Sequence, residues 1–109
     1  MGPREVKILL VDDEPDVIEI ISYNLKQEGY NIFSAVNGKQ AIEKTRKIKP
    51  HLIIMDVMMP VMDGIESCEI IRKDRNLNDV IIMFLTARGE DYTQVAAFTA
   101  NQRLWNLGL

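Results

Sequence analysis

Asp12, Asp13, Asp56 and Thr86 each sit where an apolar run gives out. Asp12-Asp13 follow Glu5-Val6-Lys7-Ile8-Leu9-Leu10-Val11, Asp56 follows Leu52-Ile53-Ile54-Met55, and Thr86 follows Val80-Ile81-Ile82-Met83-Phe84-Leu85. A carboxylate at the mouth of a buried strand loses hydration, so it needs a cation, a set of donors or a chemical task. Three carboxylates within a few ångströms repel one another, and without a cation at least one is pushed towards its protonated form. A hard divalent ion removes that conflict. Mg²⁺ takes oxygen ligands, keeps several waters, and uses one or two carboxylates together with phosphate oxygens. A backbone carbonyl from the loop after Asp56 would supply a further ligand. Asp56, with an oxygen turned to solvent beside the cation, would then suit nucleophilic attack on a phosphoryl group, giving an aspartyl phosphate. The Thr86 hydroxyl and the Ala87 N–H would donate to phosphoryl oxygens, each such bond being worth roughly 1.5–3 kcal/mol when its partner is charged. Taken singly, these residues have plainer roles. Asp-Asp after a strand caps a helix, a strand-end threonine is structural, and Asp63-Gly64 is a turn and a cap. The case lies in the conjunction of three acids and a hydroxyl at strand ends.

The elements that must bring them together can be read from the pattern. Residues 5–11 are a continuous apolar run, the mark of a strand buried on both faces. Pro15 suits the first turn of a helix with acids just ahead of it. The helix runs to about Glu28, with Val17, Ile18, Ile21 and Leu25 in one stripe and Gly29 as its C-terminal stop. Residues 30–36 alternate and predict a strand nearer an edge. Asn37 caps a second helix over residues 38–47, with Ala41, Ile42 and Ile48 on one face, and Lys49-Pro50 stops it. His51 opens a third strand that ends at Asp56. Asp63-Gly64 leads into a third helix to about Asp74, with Ile65, Cys68, Ile70 and Ile71 apolar. After a polar loop at residues 76–79, residues 80–85 are a fourth strand. Asp91 would cap a fourth helix through Val95, Ala96 and Phe98. Strands alternating with helices argue for a parallel sheet covered on both faces. In such sheets the ligand site lies beyond the carboxyl ends of the strands, where the acids and Thr86 converge.

The 109 residues suit one domain, spanning residues 1–109. Hydrophobic content of 47% and charged content of 27% are ordinary for a soluble globular chain. A net charge of −3 does not indicate a nucleic-acid surface, and no stretch reads as a membrane span or signal peptide. With a single cysteine no internal disulfide can form, which fits a cytoplasmic setting. Cys68 reads as a small apolar packing residue and His51 as structural rather than as a metal ligand. Met55, Met58, Met59 and Met62 read as flexible core and loop packing.

Three segments together resemble the receiver domain of two-component response regulators. They are Val11-Asp12-Asp13-Glu14-Pro15, then the stretch from Met55-Asp56 to Met62-Asp63-Gly64, then Phe84-Leu85-Thr86-Ala87. The resemblance covers roughly residues 6–98. It implies a flavodoxin-like, doubly wound α/β fold with strand order 2-1-3-4-5. It implies that Asp56 accepts a phosphoryl group from a sensor histidine kinase and that the domain assists its own phosphorylation and dephosphorylation rather than acting as an enzyme. It implies Mg²⁺ held by Asp12, Asp13, Asp56 and the Met58 carbonyl, and Thr86 as the switch hydroxyl. The family continues past the fourth helix with a fifth strand, a lysine and a fifth helix. This chain instead reads Thr99-Ala100-Asn101-Gln102-Arg103-Leu104-Trp105-Asn106-Leu107-Gly108-Leu109, with no lysine after Lys73. The expectation is therefore a receiver truncated or altered after its fourth helix, lacking the fifth strand and fifth helix, with an exposed fourth-strand edge. That edge would be covered by the tail or by a second copy of the chain, in a homo-oligomer or swapped dimer. Two other readings stand beside the phosphoacceptor. One is an interaction-only module with an incomplete, non-switching site, and the other is a small phosphohydrolase using Asp56.

Overall fold

The computed structural model of the chain describes residues 2–85 and 95–96. A 3-10 turn at Pro3–Glu5 leads into strand β1, Lys7–Val11, and helix α1 covers Pro15–Gln27. Strand β2 is Asn31–Ala35, helix α2 Gly38–Ile48, strand β3 Leu52–Asp56 and helix α3 Gly64–Lys73. A second 3-10 turn, Arg75–Leu77, precedes strand β4, Ile81–Leu85, and a two-residue strand β5 is Val95–Ala96. The sheet order is β2-β1-β3-β4-β5. Its first four strands are parallel, in the register Leu9↔Phe33, Leu9↔Ile53 and Ile53↔Ile82. This is the flavodoxin-like order expected, with β2 at an edge.

The C-terminal part differs from the sequence reading. Val95 and Ala96, expected inside a fourth helix, form β5 instead, antiparallel to β4 with Leu85 opposite Val95 and Phe84 opposite Ala96. The backbone groups of an apolar edge strand are satisfied by pairing, so the end of β4 is partnered rather than bare. The family's parallel fifth strand is not what pairs here. Residues 86–94 and the tail from residue 97, on which the covering and swapping expectations fall, lie outside the described residues.

β1, β3 and β4 share one burial pattern, a half-buried first residue and four buried ones, because both faces of each are covered. Leu9, Val11, Ile53, Met55, Ile82 and Phe84 turn to the α2–α3 side, where Ala41, Ile42, Cys68 and Ile71 meet them. Ile8, Leu10, Ile54 and Leu85 turn to the other side and pack with Val17, Ile18, Ile21 and Leu25 of α1. α1 ends in a Schellman motif. Gly29 takes φ 94°, its N–H reaches the Lys26 carbonyl, and the Tyr30 N–H reaches that of Leu25. Leu25 and Tyr30 then pack in the same apolar cluster. At the β2 edge, Lys44 Nζ donates to the outward Ser34 carbonyl, and the Val36 N–H donates to Gln40 Oε1 at 3.1 Å. Helix α2 thus blunts that edge with its own side chains.

Candidate functional site: an acid cluster at the carboxyl ends of the strands

Val11 pairs with Met55, so the chain leaves β1 and β3 at the same level and Asp12 emerges beside Asp56. The Asp12 N–H continues the ladder to the Ala35 carbonyl at 3.1 Å, which fixes where its side chain starts. Asp12 Oδ1 accepts the Glu14 N–H at 2.9 Å, just ahead of Pro15 at the start of α1. That places a carboxylate at the positive end of a helix, where the dipole favours it. Asp56 is the last residue of β3 and pairs with Leu85. Its Oδ1 accepts the Met58 N–H at 3.2 Å, so the loop that follows turns back over the acid. Asp12 and Asp56 are buried and Asp13 is half-buried.

One carboxylate oxygen from each of Asp12, Asp13 and Asp56 lies within 4.8 Å of the others. The three residues that the sequence singled out as acids are therefore one cluster. A cation bound to oxygens at 2.0–2.1 Å needs neighbouring ligands about 3–4 Å apart, which small side-chain rotations would reach from here. The donor set is all oxygen and partly open, which fits a hard divalent ion. Met58, whose carbonyl was expected as a ligand, follows Asp56 by two positions, and its side chain is exposed. Thr86 directly follows Leu85, the partner of Asp56, but Thr86 and Ala87 lie outside the described residues.

The loop of residues 57–63 is pinned from several directions. The Gly64 N–H donates to the Val57 carbonyl at 2.8 Å. A Cβ at Gly64 would collide with the Asp56 carbonyl oxygen and lie 3.1 Å from Val57 Cα, so only glycine lets α3 start this close to the acceptor strand. Asp63 caps α3, its Oδ1 accepting the Glu66 N–H at 2.8 Å. The buried Ser67 donates from Oγ to the Asp63 carbonyl at 2.7 Å. Val61 takes φ 70°, an expensive conformation for a β-branched residue. A cavity of about 490 Å³ opens beside the cluster, lined by Asp13, Val57, Met58, Met59, Pro60, Asp63 and Ile65. Ile65 is one of the apolar residues expected in the third helix. It is 38% exposed and faces this cavity instead.

The response regulator receiver domain matches residues 8–103. The chain belongs to that family. It is a phosphoacceptor signalling module of the two-component kind. Over 89 residues it is 39% identical to the alkaline phosphatase synthesis transcriptional regulatory protein PhoP of Bacillus subtilis, covering 82% of this chain and 36% of that protein. Over a match of the same length it is 43% identical to a CpxR homolog of Haemophilus influenzae, covering 82% of this chain and 37% of that protein. The chain thus spans a little over a third of the length of these regulators. Among solved structures it resembles the chemotaxis response regulator CheY4 of Vibrio cholerae, at TM-score 0.72 and 33% identity over 78% of this chain and 71% of that one. It also resembles the receiver domain of a sensor histidine kinase from Pseudomonas aeruginosa, at TM-score 0.73 and 33% identity over 81% of this chain and 70% of that one. That structure has a magnesium ion coordinated in its active-site cleft. Among the described residues of this receiver, no helix is long and apolar enough to cross a membrane.

Three features of the receiver escaped the sequence reading. Asn37-Gly38 was legible as a turn and cap, and the Asn37 side chain does accept the Gln40 N–H at 2.9 Å. Nothing in the pattern said that Gly38 would lie against Met62, in the loop after Asp56, where its N–H donates to the Met62 carbonyl at 3.2 Å. Thr45 and Ser67 are polar residues buried at helix faces that a hydrophobic stripe passes over.

Proposed function

We propose that Asp56 is the phosphoacceptor and that Asp12, Asp13 and Asp56, with the Met58 carbonyl, hold Mg²⁺. The observation that carries this reading is the clustering of the three carboxylates at the end of β3, where Asp56 alone closes the strand. A carboxylate oxygen of Asp56 forms a bond to phosphorus while the bond to the donor's leaving group breaks. With a phosphohistidine donor, the imidazole nitrogen leaves with the electron pair. Bound Mg²⁺ would neutralise charge on the phosphoryl oxygens and lessen repulsion among the acids. The Met58 N–H holds one oxygen of Asp56 in place. Thr86 supplies the switch hydroxyl and Ala87 a backbone donor to the phosphoryl group. The domain assists its own phosphorylation and dephosphorylation and is not a turnover enzyme. Residues 1–109 form one receiver domain whose donor is a sensor histidine kinase in the cytoplasm, without direct contact to nucleic acid or membrane. A second copy of the chain could still join through the β4 edge and the tail.

Intact mass after treatment with acetyl phosphate and Mg²⁺ tests the reading. One added phosphoryl group, absent in Asp56→Asn and absent when Mg²⁺ is chelated, is expected. No gain in the native chain under any donor condition would leave an interaction-only module in its place.

A further inference from the structure

Gly38 is the first residue of α2, an element that contributes no acid to the cluster. It is buried, and its N–H donates to the Met62 carbonyl at 3.2 Å. A Cβ added there would collide with Ser67 Oγ, come within 2.6 Å of the Met62 carbonyl oxygen and within 3.0 Å of Met62 Cβ. Its φ is not in the left-handed region, so glycine is needed here for space and not for backbone conformation. Met62 is half-buried against the main core, and its N–H donates to the Pro60 carbonyl at 2.7 Å. The segment that Gly38 touches is thus the far arm of the loop whose near arm, through the Met58 N–H, holds Asp56 Oδ1.

We propose that Gly38 is a positioning residue for the cation site. By letting the start of α2 close to hydrogen-bond distance on Met62, it sets the loop of residues 57–63. The loop in turn sets the orientation of Asp56. The inference rests on the reading of Asp12, Asp13 and Asp56 as a Mg²⁺ site. Any side chain at position 38 must displace either Ser67, at the first turn of α3, or the Met62 carbonyl. The Met62 displacement reaches the acid because the loop has a second fixed point only one step past Asp56, where the Gly64 N–H meets the Val57 carbonyl. Groups that orient a metal ligand without touching the metal change affinity about 10–100-fold.

The test is calorimetric titration with MgCl₂ of the native chain, Gly38→Ala, Ser67→Ala and the double variant. Each is measured at a temperature where circular dichroism shows it folded. Removing Ser67 Oγ relieves the side-chain collision and leaves the clash with the Met62 carbonyl, so the double variant should recover folding stability. The expected result is a Mg²⁺ Kd raised about tenfold or more in Gly38→Ala and in the double variant, with Ser67→Ala within about twofold of native. A purely structural glycine would lower the thermal midpoint and leave the Kd of the folded protein unchanged. That outcome, in either Gly38 variant, overturns the proposal while the Mg²⁺ site stands. A native chain that takes up no Mg²⁺ overturns both.

Discussion

The two ends of the sheet treat polar groups in opposite ways. At the carboxyl ends of the strands, Asp12, Asp13 and Asp56 face one another, like charge against like charge. At the amino ends, the side chains of His51, Lys7 and Arg72 are given to backbone. His51 Nδ1 accepts the Lys7 N–H at 3.0 Å, and the His51 main chain bridges β1 and β4 through the Lys7 carbonyl and the Ile81 N–H. Lys7 Nζ donates to the Ile48 carbonyl at 3.1 Å, at the end of α2. The Arg72 guanidinium donates to the carbonyls of Leu77, Asn78 and Val80, closing the approach to β4. One end is assembled for stability; the other holds a conflict that a cation would resolve. Among the described residues, each end also holds one non-glycine residue with positive φ. Val61 sits in the left-handed region at the acid end. Lys49 closes α2 at the amino end, where its N–H reaches the Thr45 carbonyl at 2.8 Å.

The largest expected effect is at the acid end. Asp13→Asn should raise the thermal midpoint of the metal-free chain, because removing one of three neighbouring negative charges relieves repulsion of order 1–3 kcal/mol. The same change should abolish most of the stabilisation by Mg²⁺, which in the native chain reaches about 2.7 kcal/mol at a hundred times Kd. Thermal melts with and without MgCl₂ measure both. A metal-free variant less stable than the native chain would mean that the cluster is already held by contacts stronger than its repulsion.

At the opposite end the sign should reverse. Arg72→Met keeps the apolar stem and removes the donors to three carbonyls, so it should cost about 2–3 kcal/mol in urea denaturation. His51→Ala should cost about 1–2 kcal/mol, because the Lys7 N–H between two strands loses its acceptor. Neither should move the Mg²⁺ Kd of the folded protein by more than about twofold. A larger shift in Kd would show that the two ends are energetically coupled and would break the division drawn here.

How much of this was legible depends on whether a pattern is carried by one element or by two. β1 and β3 with their terminal acids, and β4 ahead of Thr86, are single runs, and the rule that sites gather at carboxyl ends needs only their order. His51 and Cys68 were expected to be structural: His51, just ahead of β3, gives Nδ1 to the Lys7 N–H, and Cys68 is buried within α3. The contact of Gly38 with Met62 joins the start of α2 to the loop after β3, and no periodicity encodes it. The same holds for Ser67, whose burial depends on α2 being close enough to need a small polar residue there. Ile65 is apolar in the first turn of α3 but turns to a cavity. Val95 and Ala96 suited a helix by pattern and became strand through pairing with β4, a tertiary demand that overrides local preference.

Val61 offers a smaller test at the acid end. Val61→Asn keeps an exposed side chain and suits the left-handed region, so it should stabilise the chain by up to about 1 kcal/mol. If the loop's conformation is what matters to the cluster, this variant should leave Mg²⁺ affinity unchanged, in contrast to Gly38→Ala. A destabilised variant would show that the Val61 side chain makes contacts worth more than the strain.

Cys68 lies on α3 between the two ends, one turn from Arg72. Burial pushes its thiol above the ordinary value of 9.0, with Glu69 adding to the rise and the charge and hydrogen bond of Arg72 opposing it. A raised folded pKa means that the folded chain keeps this proton where the unfolded chain has released it. Stability from this group is complete below the unfolded pKa and falls as pH rises through the interval up to the folded one. Unfolding measured from pH 8 upwards should therefore lose stability more steeply in the native chain than in Cys68→Ala, which lacks the group. Arg72→Met should steepen the loss, because it removes the influence that lowers the thiol. Equal slopes in the native chain and Cys68→Ala would mean that the thiolate is accommodated without cost, and that the amino-end arginine reaches no further than its carbonyls.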